Sequence, residues 1–285
     1  MTLPDRGPVF GISVTPYAES YQQIVDQVLT AERLGLDLVG IQDHPYQRRF
    51  LDTFALIANL LALTERISFF PDVASLPMRP PAMIAKAAAS MDVMSGGRFE
   101  LGLGAGAFWD AVEGMGGRVR ARGERLAALE EAITIIRAAL DVGPERRVVR
   151  SAGPHYPAHS YPPGPPPAHR VAIWVGAMSV GALRLIGRKA DGWVAGGGIS
   201  RASDFPAVMK HIDEAAAAAD RDPRDIRRIV NVSGDGTEDP GQLVEVLHRL
   251  AAEVGINGFV YWPADFGTDG IERFANEVVP AILSE

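Results

Sequence analysis

The sequence contains no cysteine among its 285 residues. This absence excludes disulfide bonds, zinc sites built from thiolates and a cysteine nucleophile. The chain also lacks a continuous apolar run of the roughly 18 residues that a membrane-spanning helix needs. No signal-peptide pattern opens it, and no block of like charges marks a charged tail. From these absences we expect a cytoplasmic protein with no membrane partner.

An excess of basic residues is missing as well. The net charge is −7, with 28 Lys and Arg residues against 35 Asp and Glu residues. Proteins that bind nucleic acids normally carry positive charge on one face, so we expect no nucleic-acid partner. Apolar side chains, in contrast, make up 47% of the residues, which is enough for a large core.

Short apolar segments alternate with amphipathic ones along the chain. Strict alternation predicts parallel strands joined by right-handed crossovers. Eight such units in 285 residues favour an α/β fold, a single (β/α)8 TIM barrel over residues 1–285, with an open doubly wound sheet as the alternative. Strands are predicted at 9–14, 37–41, 67–73, 99–104, 171–176, 192–195, 229–232 and 258–262, and helices at 21–34, 52–63, 81–94, 124–140, 179–189, 203–219, 240–255 and 270–283.

One proline-rich segment, at about 144–170, interrupts this alternation. It contains Pro162-Pro163 and Pro165-Pro166-Pro167, which a helix interior does not accept. We predict an irregular excursion between the fourth helix and the fifth strand. Long loops in compact domains either serve function or only wrap the surface, and the sequence leaves both alternatives open.

The most informative motif lies at the end of the fourth predicted strand. Gly102-Leu103-Gly104-Ala105-Gly106 has alternating glycines, which let the backbone come close to a ligand. The spacing differs from the G-x-G-x-x-G of dinucleotide-binding folds, and no acidic residue closes a second strand at the distance that motif requires. The carboxyl end of a barrel strand is the active-site end, so the motif predicts one wall of an active site.

Acidic and histidine side chains follow two other strands. Asp43-His44-Pro45 comes directly after the second strand, and Pro45 holds His44 away from helical geometry. Histidine exchanges protons near neutral pH, so His44 is the catalytic candidate, and Asp43 either fixes its tautomer or belongs to the same polar cluster; a structural histidine is the alternative. Asp72 ends the third strand, where a carboxylate needs a partner or a pocket.

Two further sets of residues are candidates for binding. Gly176-Ala177-Met178-Ser179 leads into a helix that Ser179 is placed to cap, and the free amides there either bind phosphate or form an ordinary helix start. Aromatic residues near strand ends either line a pocket for a planar ligand or belong to the core. They are Phe108, Trp109, Trp174, Trp193, Tyr261 and Trp262.

A metal site is not expected. His155 and His159 have the four-residue spacing of some metal ligands, but Pro157 between them prevents the helix that would align them. No carboxylate motif accompanies the pair.

Together these motifs resemble the bacterial-luciferase-like superfamily of flavin- and deazaflavin-dependent oxidoreductases, over about residues 9 to 262. The resemblance implies a TIM barrel that binds FMN or coenzyme F420 and acts on a small-molecule substrate. It also implies a flavin or deazaflavin reductase as the source of reduced cofactor, and it leaves a homodimer open. The motifs that carry it are Gln42-Asp43-His44-Pro45, Ser95-Gly96-Gly97-Arg98-Phe99 with the glycines that follow, and Ala190-Asp191-Gly192-Trp193.

The resemblance also implies roles for individual residues. His44, with Asp43 beside it, matches the active-site histidine. The Asp72–Val73 bond matches a non-prolyl cis peptide behind the flavin ring, with Val73–Ala74 as the alternative. The implied cofactor-binding residues are Asp72, Val73, Ala74, Gly104, Ala105, Gly106, Gly176, Ala177, Met178, Ser179 and Ala182, and the implied substrate pocket contains Phe108, Trp109 and Trp262.

One departure from the family pattern bears on the cofactor. Ala105 stands where luciferase-type members have an arginine for the phosphate, so the phosphate would depend on backbone amides, on Ser179 or on another arginine such as Arg184. Two chemistries fit this resemblance: monooxygenation with reduced FMN, and hydride transfer with a deazaflavin, in which His44 serves as acid or base. The alternatives are a non-catalytic flavin-binding barrel and a cofactor-free hydrolase or lyase that pairs Asp43 with Asp72.

Overall fold

The computed structural model describes residues 3, 7–143, 148–196, 198–233 and 239–284. Its strands provide the frame on which the rest of the chain is arranged. In chain order they are β1 (Val9–Val14), β2 (Leu38–Ile41), β3 (Ser68–Pro71), β4 (Ala74–Ser75), β5 (Leu101–Gly104), β6 (Val149–Ser151), β7 (Ala158–Tyr161), β8 (Ile173–Gly176), β9 (Gly192–Val194), β10 (Arg227–Ser233) and β11 (Gly258–Trp262).

Nine strands of the described residues form one sheet in the order β3-β2-β1-β11-β10-β9-β8-β5-β4. Every neighbouring pair in this sheet is parallel. The two ends meet, because Phe69 in β3 forms a parallel bridge with Phe99 just before β5. The sheet is therefore a barrel, as predicted, and the open doubly wound alternative is wrong.

Helices cover the outside of the barrel. The first illustrates how they form: Ile24, Val28 and Ala31 share its buried face, and the chain leaves it at Gly35, whose φ of 83° suits a residue without a side chain. The helices are α1 (Tyr21–Arg33), α2 (Thr53–Leu63), α3 (Pro81–Ser95), α4 (Trp109–Gly114), α5 (Arg122–Leu140), α6 (Val180–Lys189), α7 (Phe205–Ala217), α8 (Pro240–Val254), α9 (Asp269–Arg273) and α10 (Val279–Leu283).

Several predicted elements differ in detail. The third predicted strand is divided into β3 and β4, since the chain bends at Asp72 and Val73, and the peptide bond between these residues is cis. The helix predicted at 203–219 begins at Phe205, after a 3-10 stretch over Gly198–Asp204. The last helix is interrupted by a π-helical turn over Phe274–Val278.

The proline-rich excursion contains regular structure that its composition does not indicate. β6 and β7 pair antiparallel as a small separate sheet within it. The remainder of the segment, up to β8, is irregular as predicted, and residues 144–147 lie outside the described residues. The excursion therefore forms a hairpin on the surface of the barrel.

Side chains inside the barrel form a core separate from the one between barrel and helices. Leu38, Phe70, Trp174, Val194, Ile229 and Val260 pack together there. Trp174 thus belongs to this inner core, and Trp193 and Tyr261 are buried outside the barrel, so these predicted pocket aromatics are structural. The inner core fills the barrel towards the amino ends of the strands, and a cavity remains at their carboxyl ends.

Membrane helices and metal clusters are both missing from the part of the chain that the structure describes. Within the described ranges, no helix combines the length and the apolar character needed to cross a bilayer. The same residues contain no group of three or more acidic, histidine or cysteine side chains arranged to hold a metal ion.

A buried ionic cluster anchors the excursion where it returns to β8. His169 Nδ1 lies 2.7 Å from Asp92 Oδ1, and its Nε2 lies 3.1 Å from Glu100 Oε1. Burial lowers the pKa of His169, but the hydrogen bonds and charges of the two carboxylates outweigh it and raise that pKa to about 9. The imidazolium therefore joins α3 to the start of β5 at neutral pH.

Replacing His169 by glutamine should lower the free energy of unfolding by about 2 kcal/mol at about pH 6, because two buried carboxylates lose their cation. Because the pKa of His169 is raised in the folded state, its ion pairs stabilise the fold fully below about pH 6.5. This contribution to the free energy of unfolding is lost as the pH rises towards 9. Urea unfolding of both proteins at about pH 6 and about pH 9.5 measures the change. An equal difference at both pH values would contradict the ionic role.

Candidate active site

A cavity of about 530 Å³ lies at the carboxyl ends of the barrel strands. Residues after β2, β5, β8 and β9 line it, together with the bend between β3 and β4 and the end of β11. Its volume is within the range of small-molecule sites, roughly 300 to 1,000 Å³. The predicted residues that it brings together are Asp43, His44, Asp72, Val73, Ala74, Gly104, Ala105, Gly106, Phe108, Gly176, Ala177, Met178 and Trp262.

Three of the predicted site residues do not line this cavity. Ser179 is exposed at the start of α6 and its hydroxyl caps no backbone amide. Ala182 is buried one turn further along α6. Trp109 begins α4, and the Arg125 guanidinium covers its ring at 4.0 Å. Sequence order located these turns but not the direction in which each side chain points.

His44 forms the polar part of one wall. Its Nδ1 lies 2.7 Å from the Tyr46 hydroxyl, and the Phe108 ring meets the imidazole edge-on with centroids 5.5 Å apart. Burial lowers the pKa of His44, and the nearby Asp43 charge opposes this only in part. The imidazole is therefore neutral near pH 7, with Nδ1 held by Tyr46 and Nε2 left for a ligand.

Tyr46 was not predicted as a site residue, yet it is the hydrogen-bond partner of His44. Burial, with a further contribution from the Asp43 charge, raises the pKa of Tyr46 to about 12. Its hydroxyl therefore stays protonated beside the imidazole. The only sequence signal for this residue was an aromatic side chain two positions after the candidate histidine.

The contacts of Asp43 are with a backbone amide and an arginine, and its carboxyl forms no hydrogen bond with the His44 ring. Its Oδ2 accepts a hydrogen bond of 2.8 Å from the Ser75 backbone amide, and its Oδ1 lies 3.6 Å from the Arg79 guanidinium. The side chain is almost fully buried. Asp43 thus fastens β4 beside the end of β2, and Tyr46 takes the place predicted for it as the partner of His44.

The floor of the cavity is polar. Asp72 Oδ2 and Asn231 Oδ1 are both buried without a hydrogen-bond partner, and both residues line the cavity. Burial raises the pKa of Asp72 to about 6, although a hydrogen bond with the Asn231 side chain lowers it. Unsatisfied buried polar atoms are rare in proteins, so this floor is suited to the polar edge of a bound ligand. Asn231 was missed, and its signal was an amide within an apolar strand.

The glycines around the cavity make room for the protein itself. A side chain at Gly104 or Gly176 would approach the Val73 methyl groups to 2.8 or 2.9 Å, closer than packed atoms tolerate. At Gly102 it would collide with the Pro71 carbonyl oxygen. These glycines admit the Val73 side chain and the Pro71 carbonyl of the bend between β3 and β4, whereas the sequence predicted the close approach of a ligand.

The described lining of the cavity carries no permanently charged basic side chain. Among its described lining residues there is no lysine or arginine, and Arg184, the predicted substitute for Ala105, is exposed on α6. A phosphate bound here would therefore depend on the backbone at Ala177 and Met178. Apolar walls with polar atoms at the floor fit a flat, uncharged ring system such as a flavin or a deazaflavin.

A larger cavity, of about 660 Å³, lies at the opposite end of the barrel. It is lined by Glu100, His169 and Asp191, whose side chains hold β8 and the segment before it through hydrogen bonds. These groups are engaged in structure, so this cavity is not the candidate active site.

Comparison with known proteins places this geometry in context. The sequence profile of the family described as luciferase-like monooxygenase matches residues 8–272. The F420-dependent glucose-6-phosphate dehydrogenase of Intrasporangium calvum is 29% identical over 237 residues, 80% of this chain and 69% of that protein. The enzyme of the same name from Kribbella flavida is 28% identical over 263 residues, 90% of this chain and 77% of that protein.

A third relative covers less of the chain. An uncharacterized protein of Mycobacterium tuberculosis is 38% identical over 149 residues, which are 52% of this chain and 49% of that protein. The chain therefore aligns with about half the length of this relative.

Solved structures share the fold at low sequence identity. An F420-dependent secondary alcohol dehydrogenase in complex with an F420-acetone adduct superposes with a TM-score of 0.85 at 18% identity, over 97% of this chain and 99% of the other. The monooxygenase RslO1 of Streptomyces bottropensis gives a TM-score of 0.79 at 16% identity, over 95% and 99%. These structural likenesses show the barrel fold of this chain, and the family match shows that the barrel is luciferase-like.

Replacing Asp72 by asparagine should stabilise the fold by about 2 kcal/mol at about pH 8, because a buried ionised carboxylate is removed. A folded-state pKa raised from 3.8 to about 6 means that the parent loses stability as the pH rises between these values. The gain should vanish at about pH 3.5, where the carboxyl is protonated in both states. Urea unfolding at the two pH values measures it, and a variant less stable than the parent at about pH 8 would contradict the assignment.

Proposed function

Since the chain belongs to the luciferase-like monooxygenase family, as an oxidoreductase that takes F420 or FMN as its cofactor, we propose that it is an F420-dependent enzyme. In the proposed reaction a hydride moves between the cofactor and a small alcohol or carbonyl substrate. The observation that carries this proposal is the neutral, half-buried His44 in the cavity wall, held by Tyr46 through Nδ1. A neutral imidazole is the group that such a reaction needs as a base.

His44 handles the proton while the hydride moves. When bound, the deazaflavin supplies the carbon that accepts the hydride from the substrate C–H bond. In the same conversion the substrate O–H bond breaks, the carbonyl forms, and His44 Nε2 accepts the proton, in the tautomer whose Nδ1–H donates to the Tyr46 oxygen. In the reverse direction the imidazolium returns that proton to the carbonyl oxygen, so one residue serves both directions.

Other residues of the cavity bind and orient. Asp72 and Asn231 offer polar atoms at the floor to the polar edge of a ring system. Phe108, exposed beside His44, is placed to cover a bound ligand and to keep water from the reacting atoms. The Tyr46 hydroxyl keeps the imidazole in one orientation.

Two observations support F420 over FMN. The relatives of Intrasporangium calvum and Kribbella flavida, which align over 80% and 90% of this chain, are both named F420-dependent. Ala105 also stands where, by the family resemblance, luciferase-type members have an arginine for the cofactor phosphate. Glucose 6-phosphate is the first substrate to test, because both relatives are named for it.

Titration of the purified protein with coenzyme F420 and with FMN tests the choice of cofactor. Trp262 lines the cavity, so tryptophan fluorescence reports occupancy. We expect F420 to bind at least about tenfold more tightly than FMN, a difference of about 1.4 kcal/mol. Tight binding of FMN alone, with oxygen consumption when the flavin is reduced, would favour the monooxygenase. Binding of neither would favour the cofactor-free hydrolase or lyase.

Replacing His44 by alanine should lower turnover by about 100-fold or more, because the base that accepts the substrate proton is lost. The affinity for F420 should stay within about threefold of the parent, since the floor and the backbone walls are unchanged. His159→Ala, at an exposed position on β7, serves as the control. Turnover equal to that of the parent with a confirmed substrate would contradict the role, and bound cofactor without turnover in the parent would indicate a non-catalytic barrel.

A further inference from the structure

Another cavity, of about 360 Å³ and called the second cavity below, is lined by residues that directly follow the active-site residues in the sequence. Ala74 and Ser75 line the active-site cavity, and the next residues, 76–80, line the second one. Its other walls come from the turn after α4 and from the segment between β6 and β7. The proline-rich excursion thus contributes one side of a built cavity.

Arginine dominates this second cavity. Arg79, Arg118 and Arg120 all line it, and Arg120 is only 4% exposed. The Arg120 guanidinium lies over the Tyr156 ring at 4.5 Å. Its Nη2 reaches the His155 carbonyl oxygen at 3.5 Å, and Arg118 Nη1 donates to the same oxygen at 3.3 Å.

The charges of these arginines are compensated unequally. Arg79 pairs with Asp52 at 2.5 Å and lies 3.6 Å from Asp43. No ion pair between a carboxylate of the described ranges and either Arg118 or Arg120 is found within 4.0 Å. The acceptors for these two guanidinium groups are the His155 carbonyl oxygen and, for Arg120, the Tyr156 side chain, and neither of them carries a full negative charge. Arg120 is buried, and a buried cation without a counter-charge is costly, which points to an anion that is bound from outside.

Four buried polar atoms without a partner belong to residues of this one cavity. They are Arg79 Nε, Arg120 Nε, His155 Nδ1 and the Tyr156 hydroxyl. Burial raises the pKa of Tyr156, although the adjacent arginines oppose it, so its hydroxyl remains a donor. The two Nε–H groups and the phenol are donors without an acceptor, and a phosphate or carboxylate has the oxygens to accept from them.

The carboxylate of Glu131, close to this wall, is engaged by the backbone. Glu131 accepts hydrogen bonds from the backbone amides of His155 and Tyr156, at 3.1 and 2.7 Å. It also accepts from the Ser151 hydroxyl at 3.3 Å. Glu131 therefore fixes the segment that presents His155 and Tyr156, and it leaves the two arginines to a ligand.

We propose that this second cavity is an anion site that binds a phosphate or carboxylate group, with Arg118 and Arg120 supplying the charge and Tyr156 a hydrogen bond. The active-site cavity has no cation of its own among the described residues. An anionic group on a ligand bound in the active-site cavity would find its counter-charge in the second cavity. This assignment to an active-site ligand rests on the proposed function. The same site also suits a free inorganic anion.

Calorimetric titration of the cofactor-free protein with inorganic phosphate tests the site without reference to the reaction. Arg118→Gln and Arg120→Gln should each bind phosphate at least about tenfold more weakly than the parent, since each removes a charge-assisted hydrogen bond. The matched control is Arg122→Gln, an exposed arginine at the start of α5 outside the cavity, which should bind as the parent does. Arg118 is exposed, so its variant keeps the test valid if the buried Arg120→Gln protein fails to fold.

Paired ligands then identify the source of the anion. Riboflavin lacks the phosphate of FMN. If the parent prefers FMN over riboflavin and Arg118→Gln loses this preference, the site is assigned to the cofactor. A preference for glucose 6-phosphate over glucose that is lost instead assigns it to the substrate. Loss of phosphate binding with both preferences unchanged leaves a site for a free anion.

No saturable phosphate binding by the parent, or equal binding by all three arginine variants, would overturn the proposal. A protein that binds phosphate through Arg118 but binds no F420 would keep the anion site and reject the proposed function. The two failures are therefore distinguishable.

Discussion

The structure depends on one steric constraint, the placement of the Val73 side chain inside the barrel. The chain bends between β3 and β4, and the Val73 methyl groups lie where side chains at Gly104 and Gly176 would otherwise be. The same bend turns the Asp72 carboxyl into the cavity. Any larger residue at these glycines would displace Val73, and the floor and wall of the cavity would move with it.

The barrel could be predicted because each of its strands and helices has a recognisable pattern in the local sequence. Alternating strand and helix patterns leave few topologies open, and short connections remove most of the rest. The hairpin of β6 and β7 could not be predicted, because proline spacing reports where helices are impossible and not where two short strands meet. The bend at Asp72 divided a strand that its apolar composition presents as continuous.

Site residues could be predicted where a reactive side chain directly follows a strand. The prediction was poorer where the role of a residue depends on the direction of its side chain. His44 and Asp72 line the cavity because parallel strands bring their carboxyl ends together. Tyr46 and Asn231 were missed, since a tyrosine in a loop and an amide in a strand have many structural uses. Ser179 follows a correctly placed turn, yet it points to solvent because the side-chain direction at a helix start depends on packing.

The two ends of the barrel differ, since hydrogen-bonded ionic side chains line the cavity at the amino ends of the strands, whereas the cavity at their carboxyl ends is partly apolar. Phe108 lines the cavity at the carboxyl ends, where its ring is 61% exposed beside His44, on a backbone with a φ of 53°. A ligand that covers this ring removes apolar surface from water. Binding will then have a negative heat-capacity change, so its enthalpy becomes more favourable as the temperature rises.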